Sequence, residues 1–382
     1  MLFPLLPSHY IHSTVLAETG ERMSRSKGIG VDPVVLIDKY GACALRFTMA
    51  YLEAGSQTYR FWEQKVEIGR NFANKIWNAA RLIASMKTTE NTEDTENKTS
   101  NSSLPATRYS LLPVDNWIIS KYNETIETIT KALDKYAFSA AAQSLYSFFW
   151  HDFCDWYLEF CKIRKNNNDF SFTKTLNQIF KGSLIMLHPF MPFLTEEIWH
   201  KFKYETDSIM HADWPKEINL SEGSLTSNVE VMRELIIGIR NIRAEMQIDI
   251  KKDVSCFINT TDEKLSDFLL SQEIQNLIFN LAKVSDLQAA KTRPAQSSVI
   301  VIKGLEAYVP LAGLIDFDKE RARIQTEIES LGQELDKITR LLADQNFITK
   351  AKPAIIEREK ERKEKLEDKI TRLKSALEAL KQ

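Results

Sequence analysis

Apolar residues recur along most of this chain at helical rather than strand spacing. Leu36, Ile37, Tyr40, Leu45 and Phe47 predict a helix over Val34 to Tyr51, and Ile68, Phe72, Ile76, Trp77 and Ala80 predict a second that starts near Phe61. From Lys87 to Pro105 the residues are almost all Thr, Glu, Asn, Ser, Lys and Asp. Nothing there can fill a core position, so a disordered, solvated linker or surface insertion is expected. Residues 115–204 turn strongly helical again. Trp117, Ile118, Tyr122, Ile126, Ile129 and Leu133 form one stripe, and Phe138 to Phe160 is rich in aromatics. Leu176 to Trp199 follows, broken at His188-Pro189-Phe190-Met191-Pro192. Amphipathic helices joined by short breaks predict a helix bundle with the aromatics as its core.

After residue 228 the pattern changes. Val231 to Met246 reads as a helix carrying Arg233, Arg240 and Arg243. Val254-Ser255-Cys256-Phe257-Ile258 reads as a strand, and Val299 to Ile302 with Ala307 to Val309 flank Gly304 like a hairpin. From Phe317 onward Ile324, Ile328, Leu331, Leu335, Ile338 and Leu342 follow heptad steps. Ile356, Leu366, Ile370, Leu373, Leu377 and Leu380 resume them after Pro353. Two heptad helices with a short break predict an antiparallel coiled-coil hairpin. Arms of about 26 residues would reach about 39 Å. The fold expected is mainly α: a bundle, a small mixed α/β subdomain and a C-terminal antiparallel coiled-coil hairpin.

Composition narrows the class. A chain of 382 residues is long enough for two or three domains. At 43% hydrophobic and 27% charged, it is neither disordered nor membrane-embedded. Only 12 glycines and 11 prolines fit long helices with few turns. No apolar run approaches the roughly 20 residues that span a bilayer. Met1 to His9 is apolar but has two prolines and no basic flank, unlike a signal peptide. The net charge of −2 argues against a protein that is basic all over, yet leaves room for a local basic face. Cys43, Cys154, Cys161 and Cys256 form no C-x-x-C pair, so no zinc site is expected, and reduced thiols in a cytoplasm are the better reading.

One segment suggests chemistry. Gly20-Glu21-Arg22-Met23-Ser24-Arg25-Ser26-Lys27-Gly28 places three cations and two hydroxyls in nine residues bounded by glycines. Such a loop suits a polyphosphate, because cations stabilise developing charge while hydroxyls and backbone N–H groups hold oxygens. Composition alone also fits a solvated turn.

Arg22-Met23-Ser24-Arg25-Ser26 resembles the KMSKS signature of the class I aminoacyl-tRNA synthetases. The surroundings resemble that family too: Tyr10-Ile11-His12, Lys27-Gly28, Asp32-Pro33, and Asp38-Lys39-Tyr40-Gly41-Ala42-Cys43-Ala44-Leu45-Arg46. So do Arg70-Asn71-Phe72-Ala73-Asn74-Lys75-Ile76-Trp77-Asn78, Phe153-Cys154-Asp155-Trp156-Tyr157, His188 to Phe193 and Ile239 to Met246. Pro310 to Asp316 leading into the terminal heptads resembles the tRNA-binding arm of the valyl branch. The resemblance implies a domain plan. Residues 1–60 would be a remnant of the catalytic domain, and 61–225 an anticodon-binding bundle with a polar insertion at 87–105. Residues 226–315 would be a small α/β piece, and 316–382 the arm.

The resemblance also implies chemistry. The whole enzyme would use ATP with Mg²⁺ to activate valine and then esterify its tRNA. Arg22, Met23, Ser24, Arg25 and Ser26 would form the loop that closes on ATP, with Arg25 at the position of the motif's second lysine. Both lysines are arginine here, and a planar fork is not a compact ammonium. Cys43 stands where the family usually has aspartate. No His-x-Gly-His nucleotide motif occurs, and Met1 to Ser8 read as an arbitrary start. The isolated chain is therefore expected to bind tRNA without aminoacylating it.

Arg70, Lys75 and Arg81 on the bundle and Arg240 and Arg243 on the later helix are candidate tRNA contacts. In the arm the candidates are Lys350, Lys352, Arg358, Lys360, Arg362, Lys363 and Lys365. No DNA or membrane partner is expected. A separate chain carrying the catalytic half, or a free-standing RNA-binding protein, are the alternatives. Without the sheet it normally packs on, the 1–60 segment is expected to expose Val34, Leu36, Leu45 and Phe47.

Overall fold

The computed structural model describes residues 12–24, 28–53, 58–96, 111–220, 226–314, 317–344 and 353–379. The chain divides into two compact units, residues 1–226 and 227–382.

The first unit opens with a parallel pair of short strands, β1 (Thr14–Leu16) and β2 (Thr58–Arg60). Between them lie α1 (Pro33–Tyr40) and α2 (Ala42–Leu52). The single helix expected over this stretch is two, because Gly41 adopts φ 91° and interrupts it. Asp32 caps α1 by accepting from the Val34 N–H at 2.9 Å, and Pro33 follows as the first helical residue.

The expected exposure of this segment holds only for Val34, which is 61% exposed. Leu36, Leu45 and Phe47 are buried. Leu36 and Leu45 pack with Ala44, Phe61 and Val66, and the Phe47 ring lies 4.8 Å from that of Phe72. Helical period turns these three inward onto the bundle, so no missing sheet is needed to cover them.

α3 (Val66–Glu96) starts five residues after the expected point and runs on through the polar stretch to Glu96. A composition without apolar residues was expected to leave 87–96 unstructured; it instead continues a helix already nucleated by a buried stripe, where propagation needs no new nucleus. Residues 97–105 lie outside the described residues. Gly69 permits the close crossing of α2 and α3, since a Cβ there would fall 2.1 Å from the Ala44 carbonyl oxygen.

The bundle continues with α4 (Pro113–Asp134), α5 (Phe138–Tyr146), a π-helical run (Ser147–Tyr157) and α6 (Leu158–Asn166). α7 (Thr173–Leu187) and α8 (Pro192–Phe202) complete it. Trp117, Phe149, Phe153, Phe160, Phe180 and Trp199 are fully buried, as their aromatic stripes predict. The Phe153 and Phe180 rings stack at 6.3 Å with an interplanar angle of 9°. One polar network sits in this apolar core. Asp115 accepts from the Leu112 N–H at 3.0 Å, from Tyr157 Oη at 2.7 Å and from Arg164 Nη1 at 2.8 Å. Arg164 also donates to Asp169 and to Ser171, both at 2.6 Å, so every face of the buried guanidinium is used.

The second unit holds α9 (Thr226–Glu245), β3 (Val254–Asn259), α10 (Glu263–Leu270), α11 (Gln272–Ala282), β4 (Val284–Ala289), β5 (Ser297–Ile302) and β6 (Leu305–Pro310). The strands order as β4-β3-β6-β5, with β3 and β4 parallel and the other pairs antiparallel. Ile300 and Ile302 are buried while Val301 is 76% exposed, so β5 turns one face inward. Its Ile300 Cγ2 lies 2.7 Å from where a Cβ on Gly238 of α9 would sit.

Two long helices end the chain, α12 (Phe317–Ala343) and α13 (Pro353–Ala379). Each has 27 residues and so spans about 40 Å. Glu334 pairs with Arg362, and seven residues back on α12 Glu327 pairs with Lys369, seven residues forward on α13, at 2.9 Å. That register is antiparallel. Ile324, Ile338, Ile370 and Leu373 are buried along the seam. Arg323 fastens α12 to the end of α9 by donating to the Glu245 carbonyl oxygen at 2.8 Å. Among the described residues no helix is long and apolar enough to cross a membrane.

Candidate functional site: a basic loop and three cationic faces

The basic loop grows out of β1. Ala17 N–H donates to the Glu21 carbonyl and Gly20 N–H to the Ala17 carbonyl, both at 2.9 Å, making a tight turn in which Gly20 takes φ 86°. Arg22 bridges back to Leu16. Ser24 and Ile29 then exchange both backbone bonds, at 2.6 and 3.1 Å. The backbone thus closes as a small hairpin where Ser24 pairs with Ile29. Arg25 and Ser26 lie outside the described residues.

Within the hairpin the side chains divide their roles. Arg22 is exposed and Ser24 half-buried. Met23, expected among the catalytic set, packs against the Leu36–Leu45 cluster, so its place is that of an anchor. A cation that sequence reading missed stands next to this loop. A Cβ on Gly20 would lie 3.1 Å from Arg60 Nη2, which places the β2 guanidinium over the turn that feeds the hairpin. No spacing rule links residues 20 and 60; only the β1–β2 pairing brings them together.

The bundle candidates differ in availability. Arg70 is half-buried, 3.8 Å from Glu67 and over the Tyr40 ring at 5.7 Å. Lys75 is bonded to Asp155 at 2.7 Å and lies 5.2 Å from the Trp150 ring centroid. Arg81 is exposed and makes no ion pair among the described residues.

Arg243 is a correction. Its side chain is buried and donates to the Lys283 carbonyl at 3.3 Å and the Asp249 carbonyl at 3.0 Å. Arg243 thus ties the backbone just past α9 to that just past α11, and its buried guanidinium is turned away from solvent. Arg240 remains exposed while its Nε donates to the Leu281 carbonyl at 2.8 Å.

On α13, Arg362 is the staple to Glu334 already described. Lys360 lies 3.9 Å from Glu357, and Lys363 3.7 Å from Glu367. Arg358 and Lys365 are exposed two helical turns apart, hence on one face. Lys350 and Lys352 lie outside the described residues. The thiols offer little chemistry. Burial pushes Cys154 up to about 12 and Cys256 up to about 12, leaving both protonated and inert near neutrality. Cys43 accepts from the Leu194 N–H at 3.3 Å, meeting one of the unpaired donors at the start of α8.

Hairpin, bundle and arm each match a described family in chain order. Residues 7–60 match "tRNA synthetases class I (I, L, M and V)", and residues 115–258 match "Anticodon-binding domain of tRNA ligase". Residues 316–381 match "Valyl tRNA synthetase tRNA binding arm". All three matched regions are parts of class I aminoacyl-tRNA synthetases, which the chain resembles in consecutive segments. Similarity extends over nearly its whole length to individual members. The valine--tRNA ligase of Thermotoga maritima is 35% identical over 97% of this chain and 41% of its own length. Those of Aquifex aeolicus and Staphylococcus saprophyticus are each 36% identical over 97% of this chain, and over 32% and 42% of their own lengths. These relatives, like the arm match, point to the valine–tRNA ligase branch. The chain spans well under half the length of these relatives.

Proposed function

We propose that this chain is the tRNA-holding portion of a valine–tRNA ligase. The bundle would read the anticodon, the arm would lie against the tRNA body, and the hairpin at Arg22–Gly28 would supply the phosphate-facing loop of the catalytic half. The observation that carries this reading is the arm. Its two helices are stapled antiparallel by Arg362–Glu334 and Lys369–Glu327, which leaves Arg358 and Lys365 facing solvent in a segment matching a tRNA-binding arm.

Each part has a physical role in this scheme. Arg22, Arg25 and the hydroxyls of Ser24 and Ser26 would hold phosphate oxygens of ATP and stabilise charge that develops as pyrophosphate departs. Mg²⁺ would enter with the ATP, as expected for the whole enzyme. Arg60 would fix the turn that presents the hairpin. Arg81 on the bundle and Arg358, Lys360, Lys363 and Lys365 on the arm would neutralise backbone phosphates, with Arg240 contributing from the second unit. The sequence contains no His-x-Gly-His motif, so valine activation would need residues from elsewhere in the ligase, on the same or a separate chain. The compartment expected is the cytoplasm.

A competition gel shift with the purified chain tests the binding claim: unlabelled valine tRNA should displace labelled valine tRNA better than an unrelated tRNA. Equal competition would favour a general RNA-binding protein. ATP–pyrophosphate exchange with valine tests the catalytic claim, and robust exchange by the chain alone would overturn it.

A further inference from the structure

Residues 311–316 join the arm to β6. A tether alone would let the arm swing, and over about 40 Å a tilt of about 10° at the root moves the tip by about 7 Å. The root is held by more than its tether. Its platform is α9, which crosses β5 closely at Gly238 and is fixed toward α11 by Arg240 on the Leu281 carbonyl at 2.8 Å. Just past α9, Gln247 takes φ 47°, a left-handed turn that ends the helical ladder and leaves the last carbonyls in need of donors. Arg323 of α12 supplies one through Nη2, 2.8 Å from the Glu245 carbonyl oxygen. A cation there also complements the helix dipole.

The same guanidinium reaches further. Its Nη1 donates to Glu327 Oε2 at 2.8 Å, and the other Glu327 oxygen lies 2.9 Å from Lys369 of α13. A polar chain thus runs from the end of α9 through α12 to α13. The Arg323 side chain is only 29% exposed, so water competes weakly for these bonds. Glu245 meets α13 as well. Its carboxylate lines a small cavity of about 160 Å³ with Asp368, Lys369, Arg372 and Leu373. Burial raises the Glu245 pKa and the Arg372 charge opposes that rise. One residue at the end of α9 therefore faces both arm helices, through its carbonyl and its carboxylate. Ile324, beside Arg323, is fully buried and anchors the root without fixing its angle.

We propose that Arg323 is a positioning residue: its bond to the Glu245 carbonyl latches the arm to α9 and sets the direction in which the arm's exposed cations point. The latch itself is independent of tRNA, while its part in binding rests on the function proposed above. The test places spin labels on the full chain at Lys264→Cys on α10 and Lys337→Cys on α12, both exposed positions, the four native thiols being buried. Without tRNA, the wild-type background should give one narrow distance distribution. Arg323→Met keeps an aliphatic stem but no donor, and should add a second, displaced population with helical circular dichroism unchanged. Glu327→Gln weakens the link between the arm's own helices but leaves the carbonyl bond, and should keep the narrow distribution. An unchanged distribution in Arg323→Met would overturn the latch. So would equal broadening in Glu327→Gln, since the cohesion of the hairpin would then set its direction. Valine tRNA affinity should fall at least about threefold in Arg323→Met and hold in Glu327→Gln, as expected when one part of a two-part grip loses its fixed direction. Equal affinity in an unlatched arm would overturn the role in binding. If the wild-type chain bound no tRNA, the function proposed above would fail while the distances still decided the latch.

Discussion

Asp115 and Arg164 meet in the bundle core at 2.8 Å, with side chains 1% and 4% exposed. Removing one partner strands the other without water. Asp115→Ala should therefore destabilise the bundle by about 3–5 kcal/mol in urea unfolding. A loss below about 1 kcal/mol would mean that Tyr157, Asp169 and Ser171 can satisfy Arg164 alone. His188 gives a pH effect of definite sign. Burial lowers its pKa, Glu196 opposes and Arg46 assists, while Nδ1 lies 2.8 Å from Thr195 Oγ1. The unfolded imidazole then binds a proton first as the pH falls. Its contribution is fully present above the ordinary histidine range and is lost as the pH drops through that range toward the lower folded value. Stability should fall as the pH drops below about 6.5, the ordinary histidine value, and His188→Asn should flatten that slope relative to wild type.

At the scale of elements, close packing makes its own demands. Gly69→Ala would drive a Cβ into the Ala44 carbonyl and the Thr48 hydroxyl, so α2 and α3 must separate. A loss of about 1–3 kcal/mol in thermal unfolding is expected. On the arm, Arg358→Glu with Lys365→Glu alters one exposed face of α13 while leaving the staples Arg362–Glu334 and Lys369–Glu327 in place. tRNA affinity should fall, and the slope of log affinity against log salt should flatten by about 0.7–0.9 for each phosphate that is no longer neutralised. Unchanged salt dependence would place the tRNA-binding face elsewhere.

These elements also explain what could be read in advance. The aromatic stripe of α4 and the heptads of α12 and α13 repeat locally, so spacing alone exposed them. β4 escaped notice because Val284–Ala289 buries only Val284 and Leu287, too few to show alternation. α10 and α11, joined through Ser271, lay hidden in a stretch read mainly for its strands. Among site residues, the hairpin around Ser24 was legible as a run of cations and hydroxyls. Arg243 was misread because an outward-looking helical cation and one that clamps a carbonyl forty residues away share the same sequence signature. Arg60 and Asp115 were invisible for a related reason: their partners are set by strand pairing and bundle closure.

On the proposed reading, the molecule as a whole would hold a tRNA without by itself performing chemistry on it. Its basic hairpin would supply phosphate-binding groups, while more than half of the length of the Thermotoga maritima and Staphylococcus saprophyticus ligases has no counterpart in it. The exposed cations Arg81, Arg358 and Lys365 remain available for a polyanion, although the net charge is only −2. The most direct test is a competition binding titration of the whole chain, at one stated salt concentration, between valine tRNA and an unrelated tRNA. A preference of at least about tenfold for valine tRNA is predicted, equivalent to about 1.4 kcal/mol. Equal displacement by the two would contradict a specific tRNA-holding role.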